Sequence, residues 1–224
     1  MWFAGPAPEA PQPRHGSLAS GLHLERGMRV GLFGGSFNPA HEGHAHVAET
    51  ARLRLGLDRV IWLVSPQNPL KASDHTAPLN KRMKSARREA SGPCMIVSDF
   101  ETRIGARYTI DTLRALKARY PGVHFVWIMG GDNLATFHRW RGWTDIFRLM
   151  PVAVVARPGS LIDSRFAPAT RRFAHARLPS RESALLATAK TPAWVYLRAP
   201  LNAASSTAIR TGATHRRTEA GLTA

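Results

Sequence analysis

The strongest constraint on this chain is an order of three stretches near its start. MRVGLF, residues 28–33, is an apolar run; GGSFNPAHEGH, 34–44, follows it; AHVAETARLRLG, 45–56, comes next. In that last stretch Val47, Ala48, Ala51 and Leu55 recur at helical spacing. The order predicts a strand, a glycine turn and a helix with His41 and His44 in its first turn. Gly34 and Gly35 lack Cβ atoms, so a phosphate can approach their amides. A helix N-terminus adds free N–H groups and the positive end of the dipole. His41 and His44 are three residues apart, which puts both imidazoles on one side of the turn. An anion cradle beside paired imidazoles describes a site for a triphosphate.

The rest of the chain alternates in the same way. Apolar runs at 59–64, 94–97, 123–129, 151–157 and 194–198 read as strands. Between them, 80–90 reads as a basic helix. Residues 109–119 read as a helix with Thr109 as N-cap, stopped by Pro121-Gly122. The stretch 158–191 is arginine-rich and weakly periodic, and reads as helix and loop. Strands alternating with helices predict an α/β fold: a single-domain, doubly wound, mostly parallel, Rossmann-like sheet with helices on both faces. Ligands of such sheets sit at the carboxyl ends of the strands, where the turns after the first and fourth strands both fall.

Composition bounds what lies outside that domain. Residues 1–27 are rich in Pro, Ala, Gly and Ser and read as a disordered extension, with Met28 an alternative start. The domain is expected over 28–212 and a flexible tail over 213–224. No apolar run reaches the roughly 20 residues that span a bilayer, and the first residues lack the pattern of a secretory signal. Cys94 is the one cysteine, so no intrachain disulfide is possible, as suits a reducing, cytoplasmic setting. The net charge of +16 attracts phosphates, on nucleotides or on nucleic acid. A basic nucleic-acid-binding protein is the alternative from another class. Against it, no interleaved aromatics, recognition-helix pattern or zinc spacing is present, and no specific nucleic-acid partner is expected.

ASSTAIR, 204–210, is the second informative stretch. Ser205, Ser206 and Thr207 are N-cap types, and Arg210 lies where its guanidinium can turn back over the same terminus. The stretch is either an ordinary capped helix or a second phosphate clamp.

GGSFNPAHEGH resembles the HxGH signature of a nucleotidyltransferase superfamily. With PQNPLK, RYTIDTL, GGDNLATFHRW and SSTAIR in order, 28–211 is similar to the bacterial nicotinate mononucleotide adenylyltransferases. Ala204 stands where that family usually has Ile. The resemblance implies an enzyme that moves AMP from ATP to nicotinate mononucleotide, releasing pyrophosphate in NAD biosynthesis. It implies His41, His44 and Arg210 as catalytic groups. Gly34, Gly35, Ser36, Phe37, Ser205, Ser206 and Thr207 would join them around ATP. Mg²⁺ would be held by phosphate oxygens and water, with no protein metal cluster. On the acceptor side it implies Tyr108 and Thr109 at a helix start, Asp132 and Asn133 near ribose, and Trp140 against the pyridine ring. Lys71 either reaches a phosphate or is simply solvated. Adenylyltransferases acting on nicotinamide mononucleotide or phosphopantetheine remain alternatives, and an oligomer is possible.

Overall fold

A computed structural model describes residues 22–66, 76–158, 164, 166–200 and 204–210. Lys71, most of the N-terminal extension and the tail after Arg210 lie outside the described residues.

In chain order the elements are β1 Arg29–Gly35, α1 Glu42–Leu55, β2 Arg59–Val64, α2 Leu79–Glu89 and β3 Met95–Ser98. Then come α3 Phe100–Arg103, α4 Thr109–Arg119, β4 His124–Gly130, α5 Gly131–Thr136, α6 Trp143–Leu149 and β5 Val152–Val155. The chain continues with α7 Pro168–Arg172, β6 Arg177–Leu178, a 3-10 helix Ser180–Thr188, β7 Trp194–Leu197 and α8 Ser206–Arg210. The described strands form a 7-stranded sheet in the order β3-β2-β1-β4-β5-β7-β6. All six neighbouring pairs are parallel.

The strands are apolar on both faces because both faces are covered. Val30 and Leu32 of β1, Ile61 and Leu63 of β2, and Phe125, Trp127 and Met129 of β4 point to one core. That core is completed by Ile110, Leu113 and Leu116 of α4 and by Ile146 and Phe147 of α6. The alternate residues Phe33, Val60, Trp62, Val126 and Ile128 point to the other, under Val47, Ala48, Ala51 and Leu55 of α1 and Met83 of α2. Strand period two thus sorts one sequence into two cores.

Three details differ from the sequence reading. Gly34 and Gly35 end β1 rather than forming a turn, paired with Leu63 and Val64 of β2. A Cβ on Gly34 would lie 2.2 Å from the Trp127 ring, so the glycine makes room for a core indole as well as for a ligand. The cap of α4 is Tyr108, without a side-chain hydrogen bond, and Thr109 is the first helical residue. Finally, residues 22–27 belong to the fold. Leu22 and Leu24 pack on the core, the Gly27 amide donates to the Gly122 carbonyl at 2.9 Å, and the Tyr120 hydroxyl donates to the Leu22 carbonyl at 3.2 Å. Apolar Leu22 and Leu24, in a Pro- and Gly-rich context, are too sparse a pattern to announce this. No described helix is long and apolar enough to cross a membrane.

Candidate active site

The sheet order reverses between β1 and β4, so the carboxyl ends of these two strands diverge into a crevice. A cleft of about 450 Å³ opens there. It is lined by Gly34, Gly35, Ser36, Phe37, His41 and His44 after β1, by Asp132 and Asn133 after β4, and by Tyr108, Thr109 and Trp140. Ser205, Ser206, Thr207 and Arg210 close another wall.

The two histidines build the start of α1. His41 is its N-cap and His44 its third residue, and they satisfy each other's turn as a capping box. His41 Nδ1 accepts from the Gly43 amide at 3.1 Å, and His44 Nδ1 accepts from the His41 amide at 3.3 Å. Their ring centroids are 3.9 Å apart. Burial, then the charge of Arg157, push the His41 imidazole down to about 4, with Asp132 partly opposing. At neutral pH His41 is therefore neutral, and with Nδ1 accepting it carries its proton on Nε2. It is a hydrogen-bond donor without a net charge. Gly43 suits the place beside it, because a Cβ there would sit 3.0 Å from the His41 ring and 3.1 Å from the Ala204 carbonyl, which would have to give by a few tenths of an ångström.

Phe37 contributes differently from expectation. The residue is 1% exposed, and its ring packs 5.2 Å from Trp62 and 5.1 Å from His44, behind the cleft wall. Its φ of 45° is unusual for a bulky residue and is held by that packing.

The C-terminal stretch docks on the first motif. Ser206 Oγ donates to the Pro39 carbonyl at 2.9 Å, and Arg210 Nη1 donates to the Asn38 carbonyl at 2.6 Å. Arg210 Nη2 also reaches Thr207 Oγ1 at 3.3 Å. The guanidinium does turn back over its own helix start, as the spacing predicts. Ser206 spends its hydroxyl on the motif loop rather than on a helix amide.

Trp140, expected on the acceptor side, is half-buried, 5.1 Å from Phe137 and edge-on to Trp127 at 6.3 Å, so it joins core to cleft. The Asp111 and Thr112 amides bond the Tyr108 carbonyl. Those of Thr109 and Ile110 have no partner among the described residues, as the first amides of a helix do not. Asp111 is exposed and 4.0 Å from Arg114, bonded to none of these amides.

Three residues have roles that the sequence reading missed. Arg157 follows β5, donates to the Ala204 carbonyl at 2.7 Å and lies 3.7 Å from Asp132. It ties the C-terminal stretch to the end of β4. Glu101 lines the cleft yet is buried, and burial pushes its carboxyl up to about 7 against the bond from Thr112. Arg82 of α2 is 2% exposed and donates to four carbonyls, of Ser36, Ser65, Pro66 and Ala77, at 2.7–2.8 Å. It pins the turns after β1 and β2 to α2. In sequence Arg82 is one of many arginines on a basic helix, and only its place on the buried stripe with Met83 and Ala86 could have marked it.

Comparison with known proteins agrees with this geometry. The family described as cytidylyltransferase-like matches residues 32–212. A "Probable nicotinate-nucleotide adenylyltransferase" of a Caulobacter species is 71% identical over 82% of this chain and 97% of its own length. The chain belongs to the nicotinate-nucleotide adenylyltransferase family. Another relative of the same description, from Methylorubrum extorquens, is 56% identical over 82% of this chain and 100% of its own. The fold is shared with a solved Plasmodium falciparum nicotinic acid mononucleotide adenylyltransferase complexed with NaAD. That likeness has a TM-score of 0.62 at 16% identity and covers 83% of this chain and 84% of that one. In this nicotinate-nucleotide adenylyltransferase chain, then, the HxGH element, the SSTAIR element and the aromatic wall of Tyr108 and Trp140 meet at one cleft.

Proposed function

We infer that this protein transfers AMP from ATP to nicotinate mononucleotide, giving nicotinate adenine dinucleotide and pyrophosphate. The observation that carries the reading is the docking of Ser206 and Arg210 on Pro39 and Asn38, beside the His41–His44 capping box. Two separate anion-holding elements thereby share one cleft wide enough for two nucleotides' reacting ends.

An oxygen of the acceptor's 5′-phosphate attacks the α-phosphorus of ATP. The bond from that phosphorus to the α–β bridging oxygen breaks, and pyrophosphate leaves with the electron pair. No protein nucleophile is needed, so the chain supplies positioning and charge stabilisation. His41 donates Nε2–H to a phosphate oxygen, and His44 beside it stabilises charge at the bridging oxygen. Arg210 with Ser205, Ser206 and Thr207 holds the β- and γ-phosphates, and the end of β1 admits the nucleotide close to its backbone. Asp132 and Asn133 meet ribose hydroxyls, and Trp140 faces the pyridine ring. No three His, Cys, Asp or Glu side chains converge among the described residues. Mg²⁺ fits as the ion carried on the triphosphate, where it neutralises phosphate charge while keeping its waters. We place the reaction in the cytoplasm.

The test is pyrophosphate release with ATP, Mg²⁺ and each mononucleotide in turn. Turnover with nicotinate mononucleotide is expected. Salt-sensitive retention of nucleic acid without turnover would instead favour a binding protein. His44→Ala should lower kcat by about 100-fold, since charge stabilisation at the reacting phosphate is lost. A change confined to KM would mean that His44 only binds.

A further inference from the structure

The acceptor wall carries more positive charge than the helix start explains. Arg107, Arg139 and Arg141 all line the cleft beside Tyr108 and Thr109. The Arg141 guanidinium lies 4.7 Å from the centre of the Tyr108 ring, and that of Arg107 5.7 Å. Stacking on an aromatic face restrains a guanidinium that would otherwise sweep through solvent.

These cations lack the usual compensation. No carboxylate among the described residues comes within ion-pair distance of Arg107, Arg139 or Arg141. Acids on neighbouring elements are committed elsewhere. Asp132 pairs with Arg157 at 3.7 Å, Asp111 with Arg114 at 4.0 Å, and Asp145 with Arg148 at 3.3 Å and Arg114 at 3.6 Å. The remaining carboxyl facing this wall, Glu101, is buried, and burial favours its uncharged form. The wall is therefore a cationic surface awaiting an anion.

We propose that Arg107 and Arg141, braced on Tyr108, read the carboxylate of the acceptor's pyridine ring. They would set the preference for the acid mononucleotide over the amide. The inference rests on the acceptor assignment of the proposed function. Its chemistry is simple. A nicotinate carboxylate brings a charge to two guanidiniums that no described acid neutralises. A carboxamide brings none and offers them an NH₂ group that also donates. An exposed arginine is more often only solvated. Two of them, stacked on one ring at the mouth of a cleft and both without acidic partners among the described residues, make a receptor.

The experiment measures kcat/KM for nicotinate and nicotinamide mononucleotide at saturating ATP and Mg²⁺. The proteins are wild type, Arg107→Gln, Arg141→Gln, the double variant and Arg141→Lys. All of these positions are exposed, so folding is preserved and a melting curve checks it. The double variant should lose about 10-fold or more of the acid-to-amide ratio, the acid value falling by more than the amide value does. Arg141→Lys should restore part of it relative to Arg141→Gln. Raising ionic strength should lower the wild-type ratio and leave that of the double variant level, because exposed charges are screened. A ratio unmoved in the double variant overturns the inference while leaving the reaction intact. Equal loss with both acceptors overturns it too, by showing a structural role. Turnover of neither acceptor by wild type removes the functional reading, and this inference with it.

Discussion

At Gly34 a missing methyl group decides how β1 can meet β4. Gly34→Ala places a Cβ 2.2 Å from the Trp127 ring, in a core with no slack. Overpacking there should cost about 1–3 kcal/mol in chemical denaturation; an unchanged midpoint would show that the indole moves freely. The titrating residues make a subtler prediction. His41 falls from 6.5 to about 4, so the folded state takes its proton late and stability drops as pH falls through that window. Glu101 rises from 4.5 to about 7, so the folded state keeps its proton and stability drops as pH rises through that window. Between about 4.5 and 6.5 the two slopes oppose each other. Glu101→Gln removes one of them, so the stability of the variant relative to wild type should grow as pH rises from 4.5 to about 7. Melting temperatures across that range check it, and a constant difference refutes the burial effect at Glu101. The histidines were legible in sequence because their spacing fixes their side of a turn. Glu101 and Arg82 were not, because nothing along the chain distinguishes a buried charge from the many solvated ones. Burial is set by what other elements bring over them.

Among the elements, the strands and long helices followed from periodicity, with boundaries shifted by a residue or two. The ends were harder. The α4 cap fell on Tyr108 rather than Thr109, since a good capping residue is not used when the chain enters the helix one position earlier. The edge strand β6, Arg177–Leu178, is too short to leave a pattern. The short α8 has little of its own to hold it, and its position depends on Ser206, Arg210 and the Arg157 bond to Ala204. Arg210→Ala should weaken use of ATP by about 2–4 kcal/mol in kcat/KM with the fold intact, as expected for a lost charge-assisted phosphate contact. Activity within twofold of wild type would remove Arg210 from the clamp. Arg157→Gln should raise the KM for ATP as well, because the stretch before α8 loses its anchor. An effect on the acceptor alone would instead tie Arg157 to Asp132 only.

For the whole molecule, the parallel order β3-β2-β1-β4-β5-β7-β6 puts the expected site where the sheet reverses. Residues 22–27 close the opposite end, against the corner between α4 and β4. The comparison is with a chain beginning at Leu22. One beginning at Met28 should lose about 2–3 kcal/mol, from two leucine contacts and two hydrogen bonds, and keep its turnover. Equal melting of the two would show that this segment only rests on the surface.

Arg210 and its serines come after β7, the last described strand, yet they complete a cleft whose floor is laid down by residues 34–44. A chain leaving the ribosome therefore has all its described strands before it has the triphosphate clamp we propose. The same order exposes the enzyme to a quiet form of damage. Losing the chain after Leu197 would leave the described sheet whole and, on the reading proposed above, would remove the group that holds the leaving pyrophosphate.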